Sequence, residues 1–153
     1  MLKRMRIHIH GKGNRLEIVD NVKLSGVISI FGHGVTVRIG DNFDAKDCKL
    51  VAWDANVTIG RDCLFASDIE IRSGDIHRIE DQATGEHLNQ AQPIVLSDRV
   101  WVGSHVSILK GAKIPPDSVI ATRSVVTRKF HQPGLLLGGA PAKVLREGIR
   151  WRR

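Results

Sequence analysis

The sequence predicts an all-β chain wound into a parallel β-helix of six-residue steps, with one extended polar loop and a short C-terminal helix or tail. Three observations carry this. From Leu96 an aliphatic side chain recurs at every sixth residue: Leu96, Val102, Ile108, Ile114, Ile120 and Val126. A second, smaller series stands two residues ahead of the last five, at Val100, Val106, Ala112, Ser118 and Ser124. The chain also holds 15 Gly, no Tyr and only 5% aromatic residues, which excludes a core of large aromatic clusters. Neither a helical period of 3.6 nor a long strand period of 2 gives this spacing. Two inward positions separated by one outward residue make a very short strand, and the rest of each step turns a corner. Three such sides close a coil of about eighteen residues that stacks on the coil before it. Turn formers occupy the corners, as at Gly103-Ser104 and Pro115-Pro116-Asp117. An irregular β-sandwich of short strands is the competing reading, and it leaves six consecutive matches to one template unexplained.

The elements follow in order. Residues 1–14, with alternating Ile7 and Ile9, read as a lead-in strand that covers the open end of the helix, because a bare coil edge invites pairing with other chains. Residues 15–71 read as about three less regular coils. Val27 to Val37 is β-rich, Ile39-Gly40-Asp41-Asn42 is a corner, and the register slips by two residues between Ala45 and Trp53. The period returns at Ile59, Phe65 and Ile71, with Val57, Cys63 and Ile69 as the preceding partners. Residues 72–93 form a polar insertion without buried periodicity, and a long loop in a compact fold is usually functional. In the tail, residues 130–153, His131 to Gly134 is a turn and Leu135 to Leu137 a short strand. A tight turn follows over Gly138 to Val144, and residues 144–150 form a short helix. All 153 residues fall in one domain.

A formal net charge of +7 favours anionic partners. The phosphates of coenzyme A, an acidic polysaccharide, a membrane surface and nucleic acid all qualify. No aromatic-interleaved basic stripe appears, so nucleic acid is not expected. No stretch approaches the ~20 apolar residues of a membrane span, and the N-terminus lacks the apolar run of a signal peptide. The expected location is therefore cytoplasmic. Cys48 and Cys63 show no metal-ligand spacing and read as two reduced thiols.

The run Val100-Trp101-Val102-Gly103-Ser104-His105-Val106-Ser107-Ile108-Leu109-Lys110-Gly111 resembles the signature of the hexapeptide-repeat acetyltransferases. So do Ser124-Val125-Val126-Thr127 and Gly139-Ala140-Pro141-Ala142-Lys143. Ser67-Asp68, the Asp75-Ile76-His77-Arg78-Ile79 loop, Thr84-Gly85-Glu86 and the ending Gly148-Ile149-Arg150-Trp151 resemble the branch that acetylates capsule and lipopolysaccharide sugars. Leu96-Ser97-Asp98 and Ile114-Pro115-Pro116 depart from the usual Ile-Gly-Asp corner without touching a catalytic position. The resemblance implies a left-handed β-helix, although the general crossover rule favours the opposite hand. It also implies a homotrimer with acetyl-CoA in a groove between neighbouring prisms, His77 as the base facing that groove, and Trp101 shaping the acceptor and acetyl site.

The residues are consistent with that chemistry. A sugar hydroxyl is a poor nucleophile, and imidazole, with an ordinary pKa of about 6.5, can take its proton and return it to the departing thiolate. Asp75, Asp68 or a backbone carbonyl could fix the His77 tautomer, although Asp75 could instead turn the loop. Ser73, Asp68 and His87 are candidates for touching the acceptor, which the charge suggests is acidic. Gly103, Gly111, Ala121 and Gly139 allow close approach of pantetheine along the coil. Arg123, Arg128, Lys129 and Lys143 are candidates for the nucleotide phosphates. Trp101, between inward Val100 and Val102, projects outward; Trp53 packs; Trp151 either covers the cofactor groove or belongs to a frayed tail. His8 and His10 share one side of a strand and face solvent rather than a metal; His33, His105 and His131 sit at turns or outward positions. No metal is expected, since the zinc enzymes of similar architecture need three converging histidines and these coils carry only His105. Serine acetyltransferases and nucleotide-sugar N-acetyltransferases carry large preceding domains for which 153 residues leave no room. A small-sugar or antibiotic acetyltransferase, or a non-catalytic basic scaffold, remains as the alternative.

Overall fold

The computed structural model describes residues 2–153, the side chains of residues 2 and 3 excepted, so Met1 of the lead-in segment lies outside the described residues. Among the described residues there is no helix, and hence none long and apolar enough to cross a membrane. Six coils stack in parallel. The first holds β1 (Leu2–His10) and β2 (Arg15–Ile18), the second β3 (Lys23–Phe31) and β4 (Thr36–Ile39), the third β5 (Asp44–Trp53) and β6 (Val57–Ile59). The fourth holds β7 (Leu64–Phe65), β8 (Ile69–Arg72) and, after the long loop, β9 (Ile94–Leu96). The fifth holds β10 (Trp101–Val102), β11 (Ser107–Leu109) and β12 (Lys113–Ile114), and the sixth β13 (Val119–Ile120) and β14 (Val125–Val126). A hairpin of β15 (Leu136–Gly139) and β16 (Ala142–Arg146) closes the C-terminal end.

Three faces result. The first carries the start of β5, then β7, β10, β13 and β15; the second carries the rest of β5, then β8, β11 and β14; the third runs β2, β4, β6, β9, β12. Both six-residue series point inward: Val100, Val102, Val106, Ile108, Ala112, Ile114, Ser118, Ile120, Ser124 and Val126 are all buried. The first corner, between the third and first faces, holds Asn21, Asn42, Asp62, Arg99 and Asp117, and the second corner holds Asp68, His105 and Arg123. All eight have a left-handed backbone (φ 56–61°), a conformation that Asn and Asp tolerate best.

The pairs Ile18–Ile39, Ile39–Ile59, Ile59–Leu96 and Leu96–Ile114 show how the coil length varies. Successive coils along this face are offset by 21, 20, 37 and 18 residues. The slip expected between Ala45 and Trp53 is the two-residue excess of the 20-residue coil. Over the second corner β5 bends with one residue more than β3 and one fewer than the coil that follows, so the excess itself falls at the third corner, between Leu50 and Val57. Gly26 makes that bend possible: its φ is +123°, and a Cβ there would lie 2.2 Å from the Cys48 carbonyl oxygen.

The lead-in segment forms a strand that is itself the first rung of the stack, paired in parallel with β3. Ile7 and Ile9 stack in register on Ile28 and Ile30 and stay half-exposed at the end of the core. The C-terminal helix expected over residues 144–150 does not form. Residues of β16 pair antiparallel with β15, Val144 opposite Leu137 and Lys143 opposite Gly138. The open edge of the last coil offers backbone partners that a helix of seven residues, too short to stand alone, cannot match. The tail then crosses the first corner. Trp151 is buried, its indole Nε1–H donates to the Arg99 carbonyl (2.8 Å), and the Arg99 guanidinium lies 5.4 Å from its ring centre.

Candidate active site

The loop of residues 73–93 leaves the third corner, between the second and third faces, and rejoins the coil at β9. Ser73 starts it. This residue is fully buried, and its hydroxyl accepts from the Trp53 N–H (2.9 Å) and donates to the Ala55 carbonyl (2.9 Å). With both capacities used and no solvent face, Ser73 anchors the loop and does not reach an acceptor. Gly74 packs against Trp53. Trp53 in turn is the last ring of an outward stack with Phe31 (4.9 Å) and His10 (5.1 Å from Phe31), one ring per coil.

Beyond this anchor lies a depression of about 360 Å³ lined by Trp53, Asp54, Asp75, Ile76, His77, Arg78, His87, Asn89 and Ala91. Asn89 organises it. Its amide N–H groups donate to the His77 carbonyl (2.8 Å) and to Asp75 Oδ2 (3.0 Å). Its Oδ1 accepts from the Ile79 N–H (2.7 Å) and stands 3.1 Å from His87 Nε2. Every polar atom of one side chain is thus engaged, across both limbs of the loop. Lys110, from the coil above, forms an ion pair with Asp75 and donates to the Asn89 carbonyl (3.3 Å). The Lys110 hydrogen bond holds the Asp75 carboxyl below its usual range, and Asn89 adds to this.

The structure therefore brings His77, Asp75 and His87 together and adds Asn89 and Lys110, which the sequence reading missed. The His77 side chain is exposed in the depression, and among the described residues its ring makes no hydrogen bond. Asp75 faces Lys110 and Asn89 rather than that ring. Asp68 lies elsewhere, at the second corner, 3.7 Å from His105 Nδ1. Trp101 projects from the first face, half-exposed and 6.1 Å from the Trp151 ring.

The cofactor candidates divide into three groups. Arg128 and Lys143 flank a groove of about 450 Å³ together with Thr127, Pro141, Ala142 and Val144. Ala121 and Gly139 meet through Ser124, whose hydroxyl donates to the Ala121 carbonyl (2.6 Å) and accepts from the Gly139 N–H (3.2 Å); Arg123 stands exposed beside them. The remaining three are occupied or set apart. Gly103 is packed against Thr122 of the next coil, the space over Gly111 is filled by Gln92, and Lys129 sits on the third face opposite Lys113. Both cysteines are buried, and burial pushes each thiol up to about 12. Neither is a nucleophile at neutral pH.

No family model matches the chain. It is 33% identical over 135 residues to a polysialic acid O-acetyltransferase of Escherichia coli O1:K1, across 88% of the chain and 41% of that relative, so it spans less than half of that protein's length. It is 30% identical over 171 residues to a polysialic acid O-acetyltransferase of Neisseria meningitidis, across 97% of the chain and 80% of that relative. Among solved structures, the polySia-specific acetyltransferase NeuO superposes with a TM-score of 0.90 at 34% identity, over 99% of this chain and 70% of that one.

Proposed function

The chain belongs to the left-handed β-helix, hexapeptide-repeat acetyltransferases, in the branch of the capsule-sugar O-acetyltransferases, and on that premise we propose that it moves an acetyl group from acetyl-CoA to a hydroxyl of a capsular or surface polysaccharide with His77 as general base. The observation that carries this reading is the depression in which Asn89 and Lys110 hold the loop around an unencumbered imidazole.

The acceptor hydroxyl enters the depression and gives its proton to a free ring nitrogen of His77 as its oxygen attacks the thioester carbonyl. The tetrahedral oxyanion collapses, the carbon–sulfur bond breaks, and the imidazolium returns the proton to the CoA thiolate. Transfer is direct within a ternary complex, in keeping with two cysteines that are buried and protonated. Trp53 forms one wall for the acceptor ring, and His87, oriented through Asn89, is within reach of a neighbouring hydroxyl. Arg128 and Lys143 flank a groove suited to the cofactor phosphates.

A homotrimer completes the site. The His77 loop leaves the third corner, whereas Trp101 stands on the first face, opposite that corner of a triangular prism. The two meet only if the loop of one copy faces the Trp101 face of another. The expected acceptor is acidic, as in the polysialic acid O-acetyltransferases to which the chain is similar.

The test is His77→Asn, which keeps size and polarity. Release of free CoA thiol in the presence of acetyl-CoA and polysialic acid should fall by about 10²-fold or more, with CoA binding and the trimer retained. Retained turnover removes the base assignment. Equal activity of the wild type on neutral sugars removes the acidic acceptor and leaves a small-sugar acetyltransferase.

A further inference from the structure

In the first four coils Arg15 and Arg38 pair with Glu17, Lys49 and Arg72 with Glu70, and Arg61 with Asp98, while among the described residues Arg4, Arg6, Lys12, Lys23 and Lys46 are in no ion pair. From residue 111 to residue 146 the chain carries Lys113, Arg123, Arg128, Lys129, Lys143 and Arg146 but a single acid, Asp117, which Arg99 already holds. Among the described residues none of those six cations is in an ion pair.

Two of them are stacked. On the third face the outward column runs Glu17, Arg38, Thr58, Val95, Lys113, Lys129. At its start Arg38 lies 4.0 Å from Glu17; at its end two exposed lysines sit directly opposite each other on adjacent coils. Like charges in register on neighbouring strands are unfavourable unless something neutralises them. These lysines lie outside the groove flanked by Arg128 and Lys143, so a cofactor phosphate bound there does not account for both. They do adjoin the catalytic loop. Val95, beneath Lys113, is the second residue of the strand that receives the loop, and Lys110, three residues before Lys113, grips Asp75.

We propose that Lys113 and Lys129 form a docking strip for an anionic polymer, the chain of a carboxylated polysaccharide whose reacting sugar lies in the His77 depression. Exposed lysines hold a small monoanion poorly because water and salt screen the attraction. A polymer with one charge per sugar engages several cations together and releases its counterions on doing so. The proposal rests on the acceptor reading above and adds a place for the part of the acceptor that does not react.

The test compares wild type, Lys113→Gln and Lys113→Glu in direct binding of long-chain polysialic acid and of a short sialic acid oligomer, at low salt and without acetyl-CoA. The dissociation constant for the long polymer should rise about threefold for Lys113→Gln and about tenfold for Lys113→Glu. Binding of the short oligomer and the KM for acetyl-CoA should stay within twofold, and the melting temperature should hold or rise as a like-charge contact is lost. Unchanged polymer binding in both variants overturns the proposal, as does an equal rise in the acetyl-CoA KM. Tighter binding of single-stranded DNA than of polysialic acid of equal charge overturns it in favour of nucleic acid. Because binding is read without turnover, a wild type that binds the polymer but transfers no acetyl group separates failure of the enzymatic reading from failure of the strip.

Discussion

Asn89→Ala offers the sharpest test of how the His77 loop is held. The substitution removes two N–H donors and one acceptor at once. Asp75 keeps its ion pair with Lys110 and stays in place. What is lost are the bonds to the main chain at His77 (2.8 Å) and Ile79 (2.7 Å), which direct the peptide path on both sides of the imidazole. Each such bond contributes about 0.5–1.5 kcal/mol net, so the closed arrangement loses about 1–3 kcal/mol relative to looser ones. At 1.4 kcal/mol per decade this lowers the population with His77 in place by about 5- to 150-fold, and kcat should fall in that range. The loop lies outside the stacked core, whose inward aliphatics are untouched, so the melting temperature should move by no more than about 2 °C. Steady-state release of CoA thiol gives kcat and KM, and scanning calorimetry gives stability. A kcat within twofold of wild type would refute the reasoning. A fall in kcat matched by loss of acetyl-CoA binding and of thermal stability would make Asn89 a folding residue instead.

Three further outcomes are expected. Gly26→Ala places a methyl 2.2 Å from a backbone oxygen at φ +123°, and urea unfolding should show a loss of about 1–3 kcal/mol; an unchanged midpoint would mean that the bend over the second corner is not constrained there. Cys48 and Cys63, with thiols pushed up to about 12 by burial, should resist iodoacetamide at pH 8 in the native protein and react on unfolding; rapid native labelling would contradict their burial. Because Lys110 lowers the Asp75 carboxyl, their pair should stay intact from neutral pH down through the ordinary aspartate value of about 3.9 and be lost only at more acid pH. A carbon-detected titration of Asp75 should show a higher midpoint in Lys110→Met, and identical midpoints would dissociate the two residues.

Much of the fold was legible because each coil is specified locally. The inward series from Val57 to Ile71 and from Leu96 to Val126 needed only a period and a turn, and burial follows it residue by residue. The excess near Ala45–Trp53 was visible as a count, but not its place at the third corner, nor the bend of β5 over the second, which depends on a gap at Gly26 one coil away. The tail misled because Lys143 to Arg150 mixes charged and aliphatic residues and is free of Pro, as a short helix would be, and nothing in it reveals the unpaired edge of β15. Ser73 likewise read as a loop hydroxyl until packing placed it beneath Trp53. Asn89 and Lys110 gave little warning. A polar loop has no buried period to single out one amide, and the only available signal was that Lys110 falls at the coil corner stacked over the base of the insertion.

Sequence alone determined the all-β repeat, the inward faces, the site of the long loop and the histidine it carries, because strand and corner chemistry repeat within six residues. Only the tertiary structure decided which side chains meet around that histidine. Lys110 and Asp75 are 35 residues apart, Asn89 and Asp75 14 apart. They become neighbours because a coil stacks the chain at strand spacing across any insertion, so that contact depends on the register between coils and not on distance along the chain.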